Sequence, residues 1–235
     1  MSGDTVHWPR PPTFGETPIR LCVPIWTHED RYAGQPIIPH LLLGPYHLVR
    51  KREFLEQNRI EHILCIRDPS ELRFLRATDA TAAFTFMDVP ADVTKVSIIP
   101  YFVQANQWLA QVIAREQNVL VCCSDGIDKS SAFVAAYLMS TYGLKALDAM
   151  TFILNQRYCA TPSANGYRIK LAEYEPICAA QRSAACKEDG ADGLKNSRKR
   201  VDEEEAGGDE MNSENSPQNG NSGRKVASFS YKRAR

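Results

Sequence analysis

A chain of 235 residues with 43% apolar side chains can form one ordinary domain with a real core, plus tails. Its 28 basic and 28 acidic residues cancel to zero formal charge, so neither a nucleic-acid surface nor a membrane-seeking one is expected. No apolar run approaches the roughly 18 residues that span a bilayer. The start, Met1 to Trp8, lacks the basic residues and apolar block of a signal peptide, and the expectation is an intracellular protein.

Seven cysteines (Cys22, Cys65, Cys122, Cys123, Cys159, Cys178, Cys186) fit a compartment where thiols stay reduced. There is no Cys-x-x-Cys pair and the histidines are scattered, so no metal site and no cofactor are expected. Most of the cysteines read as small core residues.

In chain order, residues 1–34 are Pro-rich and without periodicity, which predicts an extended arm folded back over the domain. Ile37 to Gly44 reads as two short strands with a turn at Pro39-His40, residues 48–58 as a charged helix, and Ile60 to Ile66 as a buried strand. Residues 67–83 are helix or loop. Phe84 to Val89 alternates as a strand and is followed by a loop carrying Asp92. Ile99, Phe102, Leu109, Val112 and Ile113 form one helical stripe, with Ser97 as its predicted cap.

Val119 to Phe133 is the stretch around which the rest is organised. A β-rich apolar run ends at Cys123, passes through a polar loop containing Gly126, and opens an Ala-rich helix that stops at Gly143. A strand–loop–helix of this kind aims backbone N–H groups and a helix N-terminus at one spot, an anion cradle in which a thiol's pKa can fall. Two further helices follow, one carrying Leu147, Met150, Ile153 and Leu154, the other Tyr167, Leu171, Tyr174 and Cys178. The pattern predicts an α/β fold, a largely parallel sheet flanked by helices, over residues 35–182. Residues 183–235 are too polar to form a core and read as a disordered charged tail. Its basic segment Lys195 to Arg200 is either a nuclear import signal or simply a solvated stretch.

Cys123 with a cation six positions later, inside a strand–loop–helix, resembles the phosphate-binding loop of dual-specificity protein phosphatases. Over residues 36–180 the likeness extends to Leu43-Gly44, Ile63 to Ile66, Tyr101-Phe102, Ala132-Phe133 and Leu171-x-x-Tyr174-Glu175. Ile38 to Tyr46, Ile63 to Arg67, Ser131 to Val134, Arg157-Tyr-Cys159 and Lys199 to Glu205 are similar to that family's pseudophosphatase branch of serine/threonine/tyrosine-interacting proteins.

The resemblance implies a protein tyrosine phosphatase-like fold and a set of roles. Cys123 takes the nucleophile's place and Asp92 that of the general acid, while Ser124, Asp125, Gly126, Ile127, Asp128, Lys129 and Ser130 form the phosphate loop. This sequence departs from the family's pattern inside that site. Lys129 replaces an arginine whose planar fork grips two phosphoryl oxygens. Cys122 replaces a histidine, and Ser163 stands where the family commonly has Asn. Asp125 and Asp128 add negative charge that repels phosphate unless both side chains splay outward.

The sequence therefore predicts a vestigial catalytic loop in a binding module, with weak phosphatase activity through Cys123 as the alternative. The branch implies phosphorylated proteins, or protein kinases of the mitogen-activated type, as partners, together with an F-box ubiquitin-ligase subunit and a cytoplasmic and nuclear location.

Overall fold

The computed structural model describes residues 6–78 and 82–198, with side chains through residue 184. The chain divides into two units, Met1–Glu188 and Asp189–Arg235, and all that follows concerns the first, apart from the last residues of one helix. β1 (Gln35–Ile38) and β2 (Leu41–Pro45) form the expected hairpin, with His40 left-handed in its turn (φ 67°). β3 (Ile60–Arg67), β4 (Ala83–Asp88) and β5 (Asn118–Cys123) complete one sheet in the order β1-β2-β5-β3-β4. Only the β1–β2 pairing is antiparallel; β5 runs parallel to both β2 and β3, and β3 to β4.

β5 is central, so both its faces are covered and it reads as a continuous apolar run. Its side chains alternate between two cores. Val119, Val121 and Cys123 face the larger one, built with α2 (Ile99–Ile113), α3 (Lys129–Tyr142), α4 (Ala146–Gln156) and α5 (Tyr167–Arg198). Leu120 and Cys122 face the smaller one, with Leu55 of α1 (Arg52–Gln57) and with Tyr46, Leu48 and Val49. α3 is buried continuously from Ser130 to Met139, which is why its sequence is apolar or small all round. Gly143 ends it in the left-handed conformation (φ 68°).

Two local readings need correction. The single charged helix expected over 48–58 is a 3-10 turn, Tyr46–Arg50, and then α1, divided by an extended Lys51 (φ −92°, ψ 92°). Ser97 does not cap α2. The cap is Ile98 and makes no side-chain bond; Pro100 in the first turn, whose missing N–H needs no partner there, sets the start. In α4 small residues set the core face. Leu147 is 71% exposed, and the small Ala146 and Ala149 face the core with Ile153.

The segment before Gln35 lies along α3 and α4. Gly15 donates its N–H to the Tyr142 carbonyl (2.8 Å), Ile19 to Asp148 Oδ1 (2.7 Å) and Cys22 to Asn155 Oδ1 (2.8 Å). At the other end α5 continues past residue 182 to Arg198, while the tail from 199, with its acidic and basic runs, lies outside the described residues. Among the described residues, no helix is long and apolar enough to cross a membrane.

Candidate functional site

The carboxyl end of β5 delivers Cys123 to a loop that closes onto the N-terminus of α3. The loop is held from behind. Arg157, following α4, is completely buried, and its guanidinium donates to the carbonyls of Gly126 (2.9 Å), Ala33 (2.8 Å) and Arg31 (2.9 Å) and to the side-chain oxygen of Gln35. Thr161 N–H takes the carbonyl of Ile127 (2.9 Å). In a trans peptide the C=O and N–H point opposite ways, so fixing the Gly126 carbonyl on Arg157 turns the Ile127 N–H into the cradle.

Gly126 is required there. Its φ is +68°, and a Cβ would stand 2.4 Å from the Gly44 carbonyl carbon and 2.6 Å from its oxygen. Glycine is the residue that combines this left-handed backbone with such an approach.

Within the cradle the decisive side chain is Asp125. Its Oδ1 accepts the Ile127 N–H (2.9 Å), an Asx-type bond two residues on, and also the Cys123 thiol (3.4 Å). Ser130 donates its hydroxyl to Cys123 Sγ (3.2 Å) from the first turn of α3. Burial first, and the Asp125 carboxylate second, push the Cys123 thiol above its ordinary range; the Ser130 bond works the other way and does not prevail. The thiol is therefore mainly neutral at physiological pH. The carboxylate sits where an incoming anion would collect a backbone N–H and face the sulfur.

The cation is elsewhere. Lys129 Nζ lies 2.7 Å from Asp68 Oδ2 and 2.8 Å from Glu71 Oε1, both on the segment after β3. All three side chains are mostly buried. Burial alone lowers a lysine's pKa, but the two carboxylates outweigh it and the net shift is upward, so this charge is firmly held. A cation in the first turn of a helix is opposed by the helix dipole, and two flanking acids offer it a better position. Asp128 turns outward, as one reading of the sequence allowed, and its Oδ1 takes the Ser163 N–H (2.8 Å). Ser124 is exposed. Cys122 points to the opposite face of the sheet, where Cys65 and complete burial keep its thiol neutral.

Asp92 approaches this site through its backbone segment. Its neighbour Val93 packs near Gly166, in the 163–166 turn that Asp128 anchors. The Asp92 carboxylate itself accepts the Thr94 N–H (3.0 Å) and hydroxyl and pairs with Lys95 (3.1 Å). The Thr94 hydroxyl and Lys95, with the Thr94 N–H, lower its pKa from 3.8 to about 2. A general acid must still hold its proton near neutral pH, and this group has lost it. Following the carboxyl carbon of Asp92 by NMR should give a midpoint near 2; titration above pH 5 would restore it as a candidate acid.

Two further residues belong to the site. Arg157 entered the sequence reading only as part of a likeness, without a role. A lone arginine after an amphipathic helix carries no local signal, since its partners lie more than a hundred residues away at Arg31 and Ala33. Tyr167, at the start of α5, is 3% exposed, and its hydroxyl has no hydrogen-bond partner among the described residues. Burial pushes its pKa far up, with Asp128 and Cys123 close enough to add to the effect.

Residues 41–177 match the family described as dual specificity phosphatase, catalytic domain. The human serine/threonine/tyrosine-interacting protein is 35% identical over 155 residues, covering 65% of this chain and 69% of its own length. A Xenopus laevis form, serine/threonine/tyrosine-interacting protein B, is 34% identical over the same proportions. The crystal structure of the human tyrosine phosphatase-like serine/threonine/tyrosine-interacting protein superposes with a TM-score of 0.57 at 34% identity, covering 61% of this chain and 96% of that one.

Proposed function

The chain belongs to the dual specificity phosphatase family, and we propose that within it the protein is a pseudophosphatase, a binding module whose catalytic loop is filled by its own carboxylate. One observation carries this reading: Asp125 Oδ1 occupies both the Ile127 N–H and the Cys123 thiol. A phosphate bearing nearly two negative charges would have to displace that carboxylate or sit beside it. Two unit charges about 4 Å apart repel by roughly 1 kcal/mol in water and about 4 kcal/mol at an effective dielectric of 20. Lys129, the cation of the loop, does not offset this, because it is already shared between Asp68 and Glu71.

The protein then acts by holding partners. These are phosphorylated signalling proteins or their kinases, of the mitogen-activated type, and an F-box subunit of a ubiquitin ligase, in cytoplasm and nucleus. The name of its relatives, serine/threonine/tyrosine-interacting proteins, supports interaction over turnover. A second reading, weak hydrolysis through Cys123, draws on the Ser130 hydroxyl, which remains bonded to the sulfur. Purified full-length protein incubated with an aryl phosphate separates the two. We expect no release above that of a Cys123→Ser control; release that the control abolishes would overturn the pseudophosphatase assignment.

A further inference from the structure

The segment that leaves β3 does more than hold Lys129. Past Glu71 it turns back over the 3-10 turn Tyr46–Arg50 and is fastened there. Tyr46 donates its hydroxyl to the Arg76 carbonyl and accepts the Arg76 N–H (2.9 Å), while Arg67 donates to the Leu75 carbonyl. Between the segment and the turn lies a cleft of about 410 Å3 whose lining includes Tyr46, Arg50, Arg73, Phe74 and Arg76. Arg50 stands 5.8 Å over the Tyr46 ring.

This cleft gathers two features in one place. Exposed cations elsewhere are either paired, as Arg52 is with Glu56 and Lys95 with Asp92, or stand singly, as Arg20 and Arg115 do. Arg50, Arg73 and Arg76 are exposed, and among the described residues none of them meets a carboxylate. Phe74 beside them is 70% exposed and Leu72 is 41% exposed. Three guanidinium groups around one concavity repel each other, and an exposed aromatic gains nothing from water. Both penalties are relieved by one kind of occupant, a chain that brings carboxylates and an apolar side chain together.

We propose that this cleft is a docking site for an acidic segment of a partner protein, with Asp or Glu carboxylates on Arg50, Arg73 and Arg76 and an apolar residue against Phe74. Guanidinium forks suit carboxylates bidentately. Fastening the segment through Tyr46 holds the cleft open before binding, which limits the ordering cost. The chain as a whole is electrically neutral, so attraction of an acidic peptide must come from such a local cluster rather than from net charge. The site uses residues outside the phosphate loop, so it stands whether or not Cys123 acts on phosphate.

The test is fluorescence anisotropy of full-length protein with a short labelled peptide of Asp and Glu flanking a Leu-Phe pair. A lysine analogue of that peptide, inorganic phosphate and single-stranded oligothymidylate serve as comparisons. We expect saturable binding of the acidic peptide that Arg73→Glu with Arg76→Glu weakens about tenfold or more, the factor corresponding to 1.4 kcal/mol. Phe74→Ala should weaken it as well, while Arg115→Glu, an exposed reversal in the turn after α2, leaves it unchanged. Thermal unfolding midpoints equal to the parent's would assign the losses to the cleft. The proposal is overturned if the peptide does not bind, if the double reversal or Phe74→Ala leaves its affinity unchanged, or if oligothymidylate binds as tightly and with the same dependence on Arg73 and Arg76.

Discussion

Replacing Arg157 by leucine should destabilise the domain by about 3–4 kcal/mol. Opposing terms set this figure. Removing a buried guanidinium relieves its desolvation cost, which is large enough to lower its pKa despite the nearby Cys159, Cys123 and Asp125. Against that, the Gly126 carbonyl is left inside the fold without a donor, and the space cannot be refilled by a shorter side chain. The carbonyls of Arg31 and Ala33 lie at the margin and recover part of their loss from water. The orphaned interior carbonyl and the cavity win. Arg157→Lys keeps the charge but supplies no fork, and should fall between leucine and the parent. Denaturant unfolding of the three proteins checks the order; a leucine variant as stable as the parent would remove Arg157 as the loop's support.

The second large effect is on anion binding. Asp125→Ala should raise affinity for tungstate or vanadate between about fivefold and several hundredfold, the range spanned by roughly 1–4 kcal/mol of relieved repulsion. It should also bring the pH midpoint for alkylation of Cys123 downward, since one of the two causes holding the thiol up is gone. Asp125→Asn separates charge from occupancy. It lowers the alkylation midpoint too, but its amide oxygen keeps the Ile127 N–H, so its gain in oxyanion binding is smaller. Lys129→Arg alone should give almost nothing, because Asp68 and Glu71 would take an arginine at least as well as a lysine. The gain from arginine should appear only with Asp68→Asn and Glu71→Gln. Calorimetric titration of oxyanion and mass-spectrometric alkylation of the Cys123 peptide provide the measurements. Equal oxyanion affinity in Asp125→Ala and the parent would refute the electrostatic account of the loop.

What the sequence made legible was what short-range chemistry decides. Apolar runs bounded by turns marked β2, β3 and β5, and Gly143 marked the end of α3. The thiol loop was visible because strand, glycine and helix start follow each other within a dozen or so residues. The directions of its charged side chains were not. Asp125 and Asp128 look alike in the sequence, yet one bonds inward two residues along the backbone and the other reaches across to Ser163. Lys129 reads as a phosphate holder until the chain brings Asp68 and Glu71 to it from β3. In α4 the alanines mark where helices approach closely, so Ala146 and Ala149 are buried while the larger Leu147 is exposed.

The long reach of Arg157 also has a kinetic meaning. It joins residues 31–35, which lie 122–126 positions away in the chain, to the loop at 125–126, which lies 31–32 positions away. Contacts that close such long spans carry their loop entropy before they are rewarded, and tend to form after local helices and hairpins. The anchoring of Arg157 on residues 31–35, unlike its shorter-range bond to Gly126, is therefore expected to form late, beyond the folding transition state. Arg157→Lys should accordingly hasten unfolding while leaving the refolding rate almost untouched, the signature of an interaction that retains the native state without helping to find it.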